Sequence, residues 1–126
     1  MTHKTIQTDL SPAPIGPYSQ ARKFNGFVFV SGQIALHPKT GAMVQDNVAT
    51  ETKQVMENLL NVLKAENLSS EHILKTTIFL TNMEDFMVVN EVYAKYFEEK
   101  FPARETVQVS ALPKNARVEI SCIAAN

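Results

Sequence analysis

Residues 19–30 read Ser-Gln-Ala-Arg-Lys-Phe-Asn-Gly-Phe-Val-Phe-Val, and the dipeptide near their centre decides how the N-terminal third folds. Asn25-Gly26 lies between Ser19–Phe24 and the aromatic, β-branched run Phe27-Val28-Phe29-Val30. Asn and Gly both accept the positive φ that a two-residue turn needs if its twist is to match the flanking strands, so two antiparallel strands meet here. Ser31-Gly32-Gln33 then interrupts the run. Beyond it, His37-Pro38-Lys39-Thr40-Gly41 has proline early and glycine late, the order of a turn whose last residue takes positive φ.

Working outward from this hairpin, Val48, Val55, Met56, Leu59, Leu60 and Leu63 recur at spacings of three, four and seven, which predicts one amphipathic helix between about Asn47 and Leu68. Ile73 to Leu80 reads as a strand. Asn82 can cap a second helix, Asp85 suits its positive end, and Phe86, Val89, Tyr93, Tyr96 and Phe97 form its core stripe before Pro102. In Arg104 to Ser110, Val107 and Val109 alternate with Arg104, Thr106, Gln108 and Ser110, predicting one apolar and one polar face. In Arg117 to Ala124 the apolar set is Val118, Ile120, Cys122 and Ala124, opposed by Arg117, Glu119 and Ser121. A regular hairpin about Pro113 to Ala116 would set Val109 opposite Glu119 and leave Arg104 roughly 17 Å further along.

Strands, helix, strand, helix, strands make an α+β sandwich, with two helices covering one face of a sheet. The other face must hold Phe27, Phe29 and Ile123 among polar residues in at least one register. Oligomerisation through that face is the cheapest cover for so small a chain.

The 126 residues suffice for a single domain, 1–126, and are too few for two ordinary ones. With 44% hydrophobic and 20% charged residues the composition is globular, not disordered. A net charge of −1 without a basic run argues against a nucleic-acid partner. One cysteine excludes an intrachain disulfide, and with three scattered histidines it leaves no metal-ligand spacing, so no metal is expected. No GxGxxG or Walker loop is present, and nothing supports a Ser/His/Asp triad. Met1–Leu10 lacks the apolar core of a signal peptide, and no window approaches the roughly 20 apolar residues of a bilayer span. The expectation is a cytoplasmic protein without a membrane partner.

Several residues could carry chemistry. Arg104 follows Phe101-Pro102-Ala103 and opens a strand, where its planar fork could capture a carboxylate or phosphate, or merely pair with a surface acid. Glu119 stands mid-strand, either exposed on an outer face or half-buried, where it could position a water or accept a proton. Asn90 shares the buried stripe of the second helix, and its amide needs either a backbone partner or a ligand. Tyr18 and Ser31-Gly32 flank the hairpin, with glycine permitting close approach. Cys122, in the apolar register, reads as a small core residue.

Pro14-Ile15-Gly16-Pro17-Tyr18-Ser19-Gln20-Ala21, Val30-Ser31-Gly32-Gln33-Ile34, Lys75-Thr76-Thr77-Ile78-Phe79-Leu80, Phe101-Pro102-Ala103-Arg104 and Ala111-Leu112-Pro113 together resemble the Rid (YjgF) family of reactive-intermediate deaminases, over essentially the whole chain. The resemblance implies a chorismate-mutase-like sandwich and a homotrimer, three sheets forming a central barrel with ligand clefts between subunits. Within its RidA-like subgroup it implies hydrolysis of 2-imino acids, 2-iminobutanoate and 2-iminopropanoate, to 2-keto acids and ammonia, without a cofactor. Arg104 then binds the substrate carboxylate, Tyr18, Ser31, Gly32 and Asn90 shape the site, and Glu119 acts on water. Where many RidA-like members carry a Ser-Cys pair after the arginine, this chain has Glu105-Thr106. By alternation Thr106 inherits the cysteine's place, while Glu105 would neutralise Arg104 only if the strand bulged. The same fold also serves non-catalytic binders of small carboxylates with regulatory roles and RNA-cleaving, translation-inhibiting relatives. An intact Arg104/Glu119 pair favours the enzyme over the binder, and the near-neutral charge disfavours RNA.

Overall fold

The computed structural model describes residues 2–126. Six strands make one open, mixed sheet: β1 (Lys4–Ile6), β2 (Ala21–Phe24), β3 (Phe27–Gln33), β4 (Ile73–Leu80), β5 (Ala103–Gln108) and β6 (Val118–Ala125). Their spatial order is β1-β2-β3-β6-β4-β5, antiparallel throughout except for the parallel pair β4–β5. Helices α1 (Val48–Lys64) and α2 (Phe86–Ala94) pack on one face. Among the described residues no helix is long and apolar enough to cross a membrane.

The central hairpin forms as its residues dictate: Asn25 and Gly26 take φ of 52° and 83°, and Phe24 pairs with Phe27. Gly41 likewise takes positive φ, 72°. Ser31-Gly32-Gln33 interrupts the ladder as expected without ending the strand. β3 runs on to Gln33, and the pairing with β6 shifts between Val30 and Gln33. The three residues form a bulge that re-aims the strand end.

Asn47 caps α1, its side chain accepting from the Thr50 N–H at 2.8 Å. The helix stops at Lys64 because Asn67 turns left-handed and the chain folds back, the Leu68 N–H bonding the Leu63 carbonyl. Asn82 caps a single 3₁₀ turn, Met83–Asp85, and α2 follows directly. Val55, Met56, Leu59 and Leu63 of α1 and Val89 and Tyr93 of α2 meet Val28, Val30, Ile78, Leu80, Val118 and Ile120 of the sheet in one core.

The expected β5–β6 hairpin does not form. β6 inserts between β3 and β4, and β5 pairs only with β4, as a parallel strand reached through the α2 crossover. The burial patterns explain the choice. Val118, Ile120, Cys122 and Ala124 are all buried, which suits a central strand, whereas β5 is mostly exposed and serves as an edge. In β5, Arg104, Thr106 and Gln108 pair with Thr76, Ile78 and Leu80 and so share the helix-covered side, while Val107 lies on the open face, 43% exposed.

That open face carries Phe27 at 42% and Phe29 at 48% exposure, with Ile123 opposite Phe29, as the sequence pattern requires. Buried polar groups that drew no notice in the sequence pin the loops. Glu51, fully buried, accepts from the Arg117 backbone N–H and from Nε, each at 2.7 Å. Asn58 donates to the Ile34 and Leu36 carbonyls, and its own carbonyl accepts from the Ser11 hydroxyl.

Candidate active-site cleft

The bulge at the end of β3 places Ser31 and Gly32 beside β6. Ser31 donates from its hydroxyl to the Ser19 carbonyl at 2.6 Å, and its N–H bonds the Gln20 carbonyl at 2.9 Å. Gln20 in turn is buried and gathers the preceding strap, donating to the Thr8 carbonyl at 3.0 Å and the Pro12 carbonyl at 2.9 Å. The strap, folded back on the sheet, forms one wall of a cleft of about 290 Å³ lined by Ile15, Tyr18, Ser31, Gly32, Pro113 and Glu119 among others. Tyr18 stays 47% exposed while its hydroxyl accepts from the Ile15 N–H at 3.3 Å.

Gly32 has a specific reason to be glycine. A Cβ there would lie 2.6 Å from Glu119 Oε2, 2.8 Å from Cδ and 3.0 Å from Cγ. The glutamate side chain therefore lies flat against the glycine backbone. Half-buried in this position, Glu119 has its carboxyl pushed above the ordinary glutamate value by loss of solvent. Of the two readings the sequence left open, the half-buried one holds.

Arg104, Asn90 and Thr106 gather elsewhere. Arg104 Nη1 donates to Asn90 Oδ1 at 2.7 Å, and the guanidinium carbon sits 5.6 Å from the centre of the Phe86 ring and 5.4 Å from that of Tyr93. Asn90 thus spends its acceptor on a side chain and not on backbone. The Thr106 hydroxyl is buried without a partner. β5 pairs with β4 in unbroken register, so Glu105 points to the opposite face and meets Lys75 at 3.2 Å. It does not neutralise Arg104. Phe86 and Tyr93 were legible only as core residues; their spacing with Asn90, at i, i+4 and i+7 of one helix, is the signal that all three face one point.

The two groups lie on opposite faces of the sheet. Phe79 of β4 pairs with both Glu119 and Val107, so Glu119 is level with Val107, two strands away, and Arg104 is three residues further along. Their Cα atoms are about 14 Å apart. The separation expected from the sequence survives although the pairing that suggested it does not.

The remaining candidates are structural. His37 Nδ1 accepts from the Lys39 N–H, His72 Nδ1 accepts from the Ser69 N–H, and His3 packs edge-on against Phe24, so each has a local partner that the sequence did not reveal. Among the described residues no cluster of three or more potential ligands could hold a metal ion. Burial pushes the Cys122 thiol up to about 12, which leaves it a core residue and not a nucleophile.

Fold and cleft define a class: an α+β protein of one sheet and two helices, with a largely apolar, carboxylate-bearing cleft on the face the helices leave open. The family profile described as Endoribonuclease L-PSP matches residues 8–126, and the chain belongs to that family, which includes the Rid proteins it resembles in sequence. It is 49% identical over 96% of its length to "Reactive Intermediate Deaminase A, chloroplastic" of Arabidopsis thaliana, of which it spans 65%. It is 46% identical to the "2-iminobutanoate/2-iminopropanoate deaminase" of Mus musculus, covering 96% of this chain and 90% of that protein. Among solved structures, that of E. coli TdcF with bound serine superposes with a TM-score of 0.94 at 39% identity, covering 98% of each chain.

Proposed function

We propose that this protein hydrolyses 2-imino acids to 2-keto acids and ammonia, at sites shared between neighbouring subunits of a homotrimer. The observation that carries the reading is the division of the candidate residues: Glu119 lies in the cleft with Tyr18, Ser31 and Gly32, while Arg104 projects from the edge strand on the other side of the sheet. A small imino acid cannot reach both within one chain. A second copy docked on the apolar open face, through Phe27, Phe29 and Val107, supplies its own Arg104 edge to the cleft, and three copies closing in this way give the barrel implied by the family resemblance. The names of the mouse and Arabidopsis relatives and the serine bound to TdcF support a small amino-acid-like ligand.

In this assembly Arg104, held by Asn90, grips the substrate carboxylate through its remaining N–H groups. Ser31 and Gly32 form the floor, and Tyr18 with Ile15 and Pro113 encloses the side chain. A protonated imine is already electrophilic at carbon, so positioned water suffices. Glu119, made more basic by burial, takes a proton from the water as its oxygen bonds to the imine carbon, returns it to nitrogen, and takes the remaining hydroxyl proton as the C–N bond breaks, the carbonyl forms and ammonia leaves. Thr106 lends its backbone carbonyl as the second holder of that water. A net charge of −1 without a basic run gives RNA cleavage little support.

The test is subunit complementation. Arg104→Ala and Glu119→Gln should each be nearly inactive alone. Unfolded and refolded together in equal amounts, they should recover about a quarter of parental imine hydrolysis, because one site in four then joins an intact Arg104 to an intact Glu119 from different subunits. No recovery in mixed trimers would refute the shared site, and a monomer by light scattering would refute the assembly.

A further inference from the structure

Building on that reading of Arg104, we propose that Tyr93, locked by Thr76, is the positioning residue that holds the Arg104 guanidinium in its carboxylate-binding pose. An arginine exposed on an edge strand ordinarily samples many rotamers, and ordering it on binding would weaken affinity. Arg104 is constrained before any ligand arrives. Asn90 holds Nη1 at one end, and two rings lie beside the guanidinium plane.

The two rings are not equivalent. Phe86 is only partly buried, at the first residue of α2, whereas Tyr93 is 3% exposed and its hydroxyl lies 2.7 Å from Thr76 Oγ1, itself in a residue 1% exposed. A Val–Phe pair of the same shape would fill the space of this hydroxyl pair with little change in stability. Packing therefore gives no reason for the two hydroxyls. Orientation does: Thr76 is the β4 residue paired with Arg104 across the strand boundary, so hydroxyl, ring and guanidinium lie in one row, and the bond stops the ring from tilting away. Burial keeps the phenol neutral despite the Thr76 hydrogen bond and the Arg104 charge, so the ring offers an uncharged π-face to the cation.

The experiment compares Tyr93→Leu, Tyr93→Phe and the double variant Thr76→Val/Tyr93→Phe with the parent. Readouts are calorimetric affinity for 2-ketobutyrate, KM and kcat for imine hydrolysis, and 15N NMR of the Arg104 guanidinium, assigned with Arg104→Lys. Tyr93→Leu should weaken 2-ketobutyrate binding and raise KM about tenfold, with kcat within about twofold, and should speed rotation of the Arg104 Nη groups. Tyr93→Phe should recover part of the affinity, and the double variant, which keeps the packing, should show the same partial loss without a change in melting temperature. Parental affinity and slow guanidinium rotation in the double variant and in a folded Tyr93→Leu would overturn the proposal. A parent that binds 2-ketobutyrate but hydrolyses no imine would refute the deaminase reading while affinity and NMR still decide the role of Tyr93. A parent that binds no carboxylate overturns both.

Discussion

Replacing Gly32 with alanine tests the cleft with the smallest possible change. The added Cβ would sit 2.6 Å from Glu119 Oε2, where ordinary contact begins at 3.4 Å, so the carboxylate must retreat by about 0.8 Å. Rotation of the carboxylate alone does not relieve the contact, because Cδ at 2.8 Å and Cγ at 3.0 Å are also too close. The whole side chain has to swing out of the position in which it faces the cleft. A misplacement near 1 Å of a group that must align a water costs a factor on the order of 100 in turnover. The stability cost should be smaller, about 1–2 kcal/mol, since Glu119 is only half-buried and the cleft gives it somewhere to go. Imine hydrolysis coupled to a dehydratase, followed as keto-acid release, reads the first quantity, and urea unfolding reads the second. Turnover within twofold of the parent in a folded Gly32→Ala protein would show that the position of the Glu119 carboxylate does not matter, and with it the proposed handling of water would fall.

Glu119→Gln should reduce turnover by about 100-fold while sparing keto-acid affinity. The same change should raise the melting temperature, with a clear sign in pH. A carboxyl whose folded pKa is raised by burial favours the fold fully below its unfolded value and loses that contribution as pH rises through the folded one, so the gap between variant and parent should be near zero at about pH 3 and widen toward neutrality. A gap that is flat with pH would show that burial is not what sets the Glu119 carboxyl. Away from the cleft, Arg117→Ala removes the partner of the fully buried Glu51 and should cost about 3 kcal/mol in urea unfolding, and a loss below about 1 kcal/mol would mean water reaches the orphaned carboxylate.

Local physics sufficed for much of the fold. Asn25-Gly26 turns as it does because two successive residues must take positive φ, and few other pairs accept that. The α1 stripe and the alternation in β6 state which residues face the core, and both hold in the structure. The alternation of the open face, Phe27 and Phe29 with Ile123, was legible from the same period of two, while the register that pairs Phe29 with Ile123 was not.

What the chain could not state by itself is which strands become neighbours. Two polar-alternating segments separated by a short loop look like a hairpin, yet β6 is apolar enough to lie in the middle of the sheet while β5 is not, and β4 offers both of its edges. That choice is an energy difference between whole packings, invisible to any window of local sequence. The site follows the same division. Arg104, Glu119, Gly32 and Asn90 could be singled out from residue type and family resemblance. Only the tertiary structure decides that Gly32 yields its side-chain space to Glu119, that Asn90 and Tyr93 hold Arg104, and that the arginine and the glutamate fall on opposite faces, because each of these depends on distances between segments far apart in the chain.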